Sequence, residues 1–495
     1  MTVHLSTSRV LTRFAPNQSV RIVNRYMSGT SVGSSDSPVP QPITPVRTAA
    51  AKGFTFSDGS VYVGGVVNNM RHGKGKMEWA SGLIYEGDWE NDQPHGTGEI
   101  DDPGAHKYFY RGGMRFGKKH GQGEYWDNEC HYNGGWAEGM YDGYGEVTMT
   151  KSSARYEGEY KAFKMHGQGK YTYENGDVYE GAFENDKKHG HGRFTTHNGA
   201  VYEGEYQYDK QHGKGKLTYP SGGWYEGDYK NDQKHGQGKY THENGDVYEG
   251  AFENDKRHGL GHYTMHNGAV YVGEYRNDVR HGKGKLTFPG GACYEGGFVD
   301  GLRHGYGVEV SPNGGKYEGE WANGNHHGKG TLTFSNGATY EGDFVENRKH
   351  GYGVEVAHNG SKYEGQWANG KQHGKGKLTY PNGAVYEGDI VDGYMHGIGV
   401  FTSVNGSRYE GDFQRGKQYG KGELKHTDGS VYIGDISDGR KHGFGKLTSK
   451  TVGVYVGEFK DGKFHGEGKL VTLRGKVQEG LFRDNKFVGP MNSPK

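Results

Sequence analysis

The chain has 495 residues, among them 92 Gly, 13 Pro and 2 Cys, with 31% hydrophobic and 13% aromatic side chains; so much glycine excludes ordinary packed helices, where each Gly costs about 1 kcal/mol relative to Ala, and so many rings exclude a disordered tail. No apolar run reaches the roughly 18 residues of a spanning helix, and two cysteines make neither a disulfide framework nor a CxxC zinc site, a usage that suits a reducing compartment. The 60 basic and 60 acidic side chains balance overall, yet residues 1–52 hold six basic groups (Arg9, Arg13, Arg21, Arg25, Arg47, Lys52) against Asp36, leaving 54 basic and 59 acidic beyond them, which excludes a body built to hold nucleic-acid phosphates.

Residues 1–52 form a separate segment, with 5 of the 13 prolines and 2 of the 92 glycines. A helix over 3–14 would align Val3, Val10 and Phe14 and turn Arg9 and Arg13 away. That acid-poor, Arg- and Ser-rich start reads either as an organelle transit peptide or as a disordered extension. The stretch Ser28 to Pro45 is a linker on both readings.

From Gly53 to about residue 490 the sequence repeats itself, and residues 491–495 are a short tail. A tyrosine stands two residues before a glycine at 62, 85, 110, 132 and 156, and then every 23 residues to 455. A nineteenth, degenerate unit has Gln478 in the tyrosine column and keeps Gly480 and Gly489. Counted from the tyrosine as zero, glycine fills columns +2, +11 and +13 in all eighteen units. Column +10 is His in sixteen, column +1 is Glu in twelve, and column +4 is aromatic in fourteen. Those fourteen are Trp89, Trp136, Tyr160, Phe183, Tyr206, Tyr229, Phe252, Tyr275, Phe298, Trp321, Phe344, Trp367, Phe413 and Phe459.

The unit YEGDYKNDQKHGQGKYTHENGD at 225–246 resembles the MORN repeat, and similar units span about 62–490. The resemblance implies one β-hairpin per repeat, stacked edge to edge into a long single-layer antiparallel sheet. It further implies a non-catalytic scaffold at membranes or cytoskeletal structures, with phosphoinositide binding in some members.

The residues predict the same all-β architecture by themselves. Columns 0, +2 and +4 alternate with polar +1 and +3, and the second half-unit repeats this at +13, +15 and +17. In the unit at 202, Tyr202, Gly204, Tyr206, Gly215, Leu217 and Tyr219 take one face, while Glu203, Glu205, Lys214, Lys216 and Thr218 take the other. Turn signals follow both halves, as in Asn231-Asp232, Asn323-Gly324, Asn244-Gly245 and Asn382-Gly383. Rings lying over cross-strand glycines would restore the packing that strand glycine forfeits, so the Tyr and +4 columns are read as lids over the +2 and +13 glycines. Nineteen hairpins of two strands would extend roughly 180 Å at about 4.8 Å per strand.

Catalytic and metal chemistry find little support. Equivalent histidines of successive hairpins stand about 10 Å apart, too far for one zinc with ligands at about 2.1 Å; the column reads as turn histidines bonded to backbone or to the +1 glutamates, with a metal site shared between chains as the alternative. HGxG lacks the following helix and the GK[ST] of a phosphate cradle. A group recurring in every unit does not describe a singular catalytic constellation, so no enzyme activity and no cofactor are expected. Cys130 and Cys293, about seven repeats apart, are too distant to pair with each other and read as simple thiols, with a disulfide or close contact between chains as the alternative.

Two units break the alternation. In GYGVEV at 305–310 and 351–356, Val308, Val310, Val354 and Val356 take the polar parity and Glu309 and Glu355 the aromatic one. A bulge resetting the register is the preferred reading; carboxylates turned into the aromatic face are the alternative. Longer blocks also recur, KYEGEWANGNHHGKG at 316–330 after 46 residues and DVYEGAFENDKKHGHG at 177–192 after 69.

The functional expectation is binding. An uncovered strip of rings marks an interaction surface, so the fourteen +4 aromatics are the candidate groove, holding extended or helical protein segments or a second copy of the chain and tethering membrane or cytoskeletal components. The second expectation is a phosphoinositide or anionic-lipid surface, with Lys76, Lys170, Arg193, Lys216, Lys239, Lys285, Lys377, Lys446 and Lys469 in column +14 as a basic stripe whose field the neighbouring acids reduce. The expected location is the cytoplasm, at a membrane or cytoskeletal structure, or an organelle if residues 1–52 are a transit peptide.

Overall fold

The computed structural model describes residues 53–104 and 107–490; the extension, its transit-peptide reading and the tail lie outside them. The described chain is all-β, in one antiparallel sheet of 39 strands. Contacts divide the chain into two compact units, residues 1–258 and 259–495.

Each unit is a series of hairpins in chain order. In the first, Val178–Glu184 pairs with Lys187–Thr195, which pairs with Val201–Gln207 and onward. In the second, Lys316–Ala322 pairs with Asn325–Thr333, which pairs with Thr339–Val345. The tight turns are the expected ones. Asn185 and Asp186 sit at φ 50° and 67°, Asn231 and Asp232 at 52° and 67°, the left-handed pair a type I′ turn requires. These turns also interlock: Asp186 Oδ1 accepts the Met165 N–H at 2.9 Å and Asp232 Oδ1 that of Gln211 at 2.8 Å, each 21 residues away in the preceding hairpin.

The ring-over-glycine expectation holds. In the unit at 317, Gly319 and Gly330 face each other across the strands, and Tyr317 lies over both. A Cβ on Gly319 would stand 2.5 Å from the Gly330 Cα and 2.8 Å from the Tyr317 hydroxyl oxygen, so no side chain fits. What the sequence did not reveal is the job of the phenol and of the +11 glycine. Between the +2/+13 and +4/+9 pairs the second strand holds two residues more than the first, so a bulge recurs in each hairpin, as at Gly158/Tyr160 and Gly319/Trp321. The +11 glycine makes that bulge, with φ from 53° to 83° in all eighteen units, a region that disfavours any residue with a Cβ. The column tyrosine then donates its hydroxyl to the +3 carbonyl beside the bulge at 2.6–3.0 Å, again in all eighteen. In most units with an acidic +3 residue its carboxylate takes the +12 N–H as well, as Glu205 does from Lys214 at 2.9 Å and Asp412 from Lys421 at 3.0 Å.

The register at the two GYGVEV strands corrects the preferred reading. Glu309 stands directly opposite Tyr294 and Tyr317, and Glu355 opposite Tyr340 and Tyr363, in the same pairing other units use for Leu. No extra bulge resets them. Both carboxylates enter the aromatic face because a +9 cation meets each: Arg303 Nη1 lies 2.6 Å from Glu309, and Lys349 pairs with Glu355.

Loss of the hydroxyl at one column position is therefore expected to weaken its own hairpin. Tyr340→Phe strands the Asp343 carbonyl and should cost about 1 kcal/mol, read as faster amide exchange confined to 339–356 and adjoining strands; unchanged protection would contradict this role.

Candidate binding site on the aromatic face

The fourteen +4 aromatics come together, one per hairpin, but not as an open groove. All are buried, between 1% and 6% exposed. Each wedges edge-to-face between the tyrosine of its own unit and that of the preceding one. Tyr229 meets Tyr225 at 5.2 Å and 88° and Tyr202 at 5.1 Å and 89°; Trp321 meets Tyr317 at 5.3 Å and Tyr294 at 5.1 Å. Edge-to-face pairs at this separation add about 0.5–1.5 kcal/mol each beyond burial. Trp89, Trp136, Trp321 and Trp367 also donate Nε1–H to a +13 glycine carbonyl of the preceding unit at 3.0–3.3 Å. The expectation of uncovered +4 rings is thus corrected: these rings are the core, since neighbouring hairpins supply the cover that a second layer would otherwise give.

Column +9 forms the outer cover. Lys119 Nζ lies 4.4–5.0 Å from the ring centres of Tyr108, Tyr110, Tyr125 and Trp136. Burial pushes the Lys119 ammonium down to about 7, against a smaller opposing pull from Asp127. Arg303 stacks at 4.9 Å over both Tyr294 and Trp321. Beneath it Glu309 is held below the usual carboxylate range, first by the His326 hydrogen bond and then by Arg303, with burial opposing.

The accessible part of this face lies at the end of the second strand, in column +15, and on the residue just beyond it, in column +17. Phe288 and Phe334 are 39% and 38% exposed, and Tyr219, Tyr240, Tyr380 and Phe401 are half-buried. Tyr219 and Tyr240 touch edge-to-face at 6.1 Å, with Lys234 Nζ 4.3 Å from the Tyr240 ring. The alternation from +13 to +17 carried this signal; the denser +4 column drew attention away from it.

Three of the column histidines meet the +5 acids and not the +1 glutamates. His95, His189 and His258 lie 3.3–3.4 Å from Glu90, Glu184 and Glu253, the +5 acids at the turns. Among the described residues no group of three His, Cys, Asp or Glu could hold a metal ion. Cys130 is buried, its thiol pushed up to about 12 by burial, and Cys293 is half-buried; both are free. The basic +14 stripe is on the opposite, polar face, where seven of its nine members pair with glutamates: Lys76, Lys170, Lys216, Lys239, Lys285, Lys377 and Lys469, at 2.5–3.9 Å.

Two outcomes follow. Lys119 is depressed when folded, so between about pH 7 and its ordinary value near 10.5 the unfolded chain binds a proton the folded chain lacks, and stability rises with pH there by up to about 1.4 kcal/mol per unit. Amide protection of 108–137 should climb from pH 7 to 9.5, corrected for intrinsic exchange, and Lys119→Met should flatten the climb. At Glu309, Arg303→Met should destabilise that hairpin by about 1–2 kcal/mol, since the pair is only partly buried. Glu309→Leu should be near neutral and should restore the protection lost in Arg303→Met.

Alsin from Homo sapiens and from Pan troglodytes is 37% identical over 82 residues, 16% of this chain but only 5% of alsin. Solved structures align at low superposition. The Drosophila melanogaster SAS-4 TCP domain, in complex with a proline-rich motif of Ana2, is 16% identical and covers 31% of this chain and 85% of that one, at a TM-score of 0.21. The Danio rerio CPAP TCP10 domain, in complex with a STIL peptide, is 16% identical over 51% of this chain and 94% of that one, at 0.12. Virginiamycin B lyase from Staphylococcus aureus is 12% identical over 54% and 83%, at 0.11. None of these superpositions bears on function. The MORN repeat model matches eighteen times between residues 62 and 472, with each match from 156 to 431 spanning one 23-residue unit, and the chain belongs to the MORN-repeat family.

Proposed function

We propose that this chain is a non-catalytic scaffold that holds segments of other proteins along the second-strand edge of its aromatic face. The observation that carries this reading is the pair Phe288 and Phe334, over a third exposed beside a fully buried ring stack. Half-exposed rings on a rigid floor are the usual anchors of protein interfaces, because ordering them costs little and covering them gains much. A partner segment lying across +15 and +17 would cover ring edges without disturbing the +4 core. Membrane or cytoskeletal tethering, in the cytoplasm, belongs to this proposal, as does an organelle address in residues 1–52; imaging the chain beside a version lacking 1–52 tests the address.

The lipid reading has weaker support, since most of the basic stripe is already neutralised by glutamates on its own face. A photo-crosslinking residue placed singly at Phe288, Phe334 and Tyr380 in the full chain, in cells, separates the two. Discrete protein adducts at these sites, absent from a matched polar-face site at Lys239, are expected. Adducts to lipid alone, or a pattern no different from Lys239, would overturn the proposal.

A further inference from the structure

The polar face of the second unit, residues 259–495, is not uniformly polar. In column +12 it carries Leu260, Tyr306, Tyr352, Ile398 and Phe444, each 46 residues from the next, which is every second hairpin. They are all strongly exposed, 58–71% accessible. Between them stand Lys283, Lys329, Lys375 and Lys421. Their orientation follows from register: Tyr306 stands opposite Glu320, Tyr352 opposite Gln366 and Ile398 opposite Asp412, all on the face away from the ring core. The same column in the first unit reads Lys74, Thr97, Gln122, Tyr144, Gln168, His191, Lys214 and Gln237, with one apolar residue.

The exposed groups are reinforced along their strands. Val308, Val354 and Val400 follow Tyr306, Tyr352 and Ile398 by two residues on the same face, opposite glutamates in both neighbouring strands. In two of these strands the polarity is inverted outright: Glu309 and Glu355 face the core while Val308 and Val354 face outward. An inverted strand places a carboxylate in the core, where several other units place Leu, and adds a valine to the outer surface. Two of the four intervening lysines are satisfied within the chain, Lys329 by Asp343 at 2.5 Å and Lys375 by Asp389 at 2.6 Å. What the face lacks is apolar cover at a two-hairpin spacing, about 19 Å.

We propose that this surface is covered by a second copy of the chain, face to face about a two-fold axis at Tyr352. The row is symmetric about that residue: steps of 46 reach Tyr306 on one side and Ile398 on the other, and steps of 92 reach Leu260 and Phe444. A two-fold through Tyr352 therefore sets every apolar group against an apolar group, the self-complementarity that a closed dimer interface requires. No other spacing need be assumed of the partner. The whole row crosses eight hairpin steps, about 77 Å; its central five hairpins, Tyr306 to Ile398, span about 40 Å by about 20 Å across the outward positions, roughly 800 Å² per copy and already the size of a standard stable interface. This face is opposite the aromatic one, so the inference stands apart from the segment-binding proposal.

The test is the self-association of the full chain by sedimentation, with Tyr306→Lys, Tyr352→Lys and Ile398→Lys combined. Lysine already occupies the alternate positions of this column, so the variant retains the fold, checked by unchanged amide protection. A dimer weakened about tenfold or more by the variant is expected, since central buried anchors each carry over 1 kcal/mol (about 1.4 per decade), with Gln237→Lys in the first unit as a silent control. In a Cys293→Ser background, Tyr352→Cys should cross-link to its own copy on mild oxidation, whereas Leu260→Cys should not, because its mate is Phe444. A monomer at all concentrations, a dimer indifferent to the three lysines, or oxidation that joins Leu260→Cys as readily as Tyr352→Cys would overturn it.

Discussion

One contact sets the rest of the structure: a tyrosine ring laid flat over a pair of cross-strand glycines, its hydroxyl bonded to the carbonyl beside a bulge. The bare backbone lets the ring approach to van der Waals distance, and the hydroxyl satisfies a carbonyl that the bulge removes from the ladder. Phenylalanine could do the first but not the second. Burial pushes the column phenols up, to about 12 at Tyr294, Tyr363 and Tyr409, so they remain donors through the physiological range.

From that contact comes a core without a second layer. Each ring is shielded by the rings of adjoining hairpins and by the +9 side chain, so a unit draws its stability from its neighbours. The cover is partly cationic, and at Lys119 this exacts a displaced protonation equilibrium. Local balance of this kind also explains how Glu309 and Glu355 are tolerated where the other units place an apolar or aromatic residue: a cation already overhead turns a costly burial into a pair.

Two faces with different offerings result. The aromatic face hides its most conspicuous rings and leaves a narrower, second-strand edge. The polar face is self-neutralising over most of its area, and in the second unit it is interrupted by apolar groups at a two-hairpin beat. A surface that cancels its own charge is poorly suited to anionic lipid and well suited to shape-matched apolar contact.

The sequence by itself determined the hairpins, their turns, the side of each strand and the tyrosine–glycine pairing, because all of these follow from periodicity and from the steric demands of Gly, Asn and Asp within a few residues. It also carried the 46-residue beat and the inverted parity at Val308 and Val354. Only the tertiary structure decided that Trp321 and its thirteen counterparts are buried, since their cover comes from rings and stems a whole unit away. It likewise decided that Glu309 faces the core without a register shift, because that choice rests on whether Arg303 in the same hairpin can reach it. Exposure and charge pairing are set across strands, and no period within one strand encodes them.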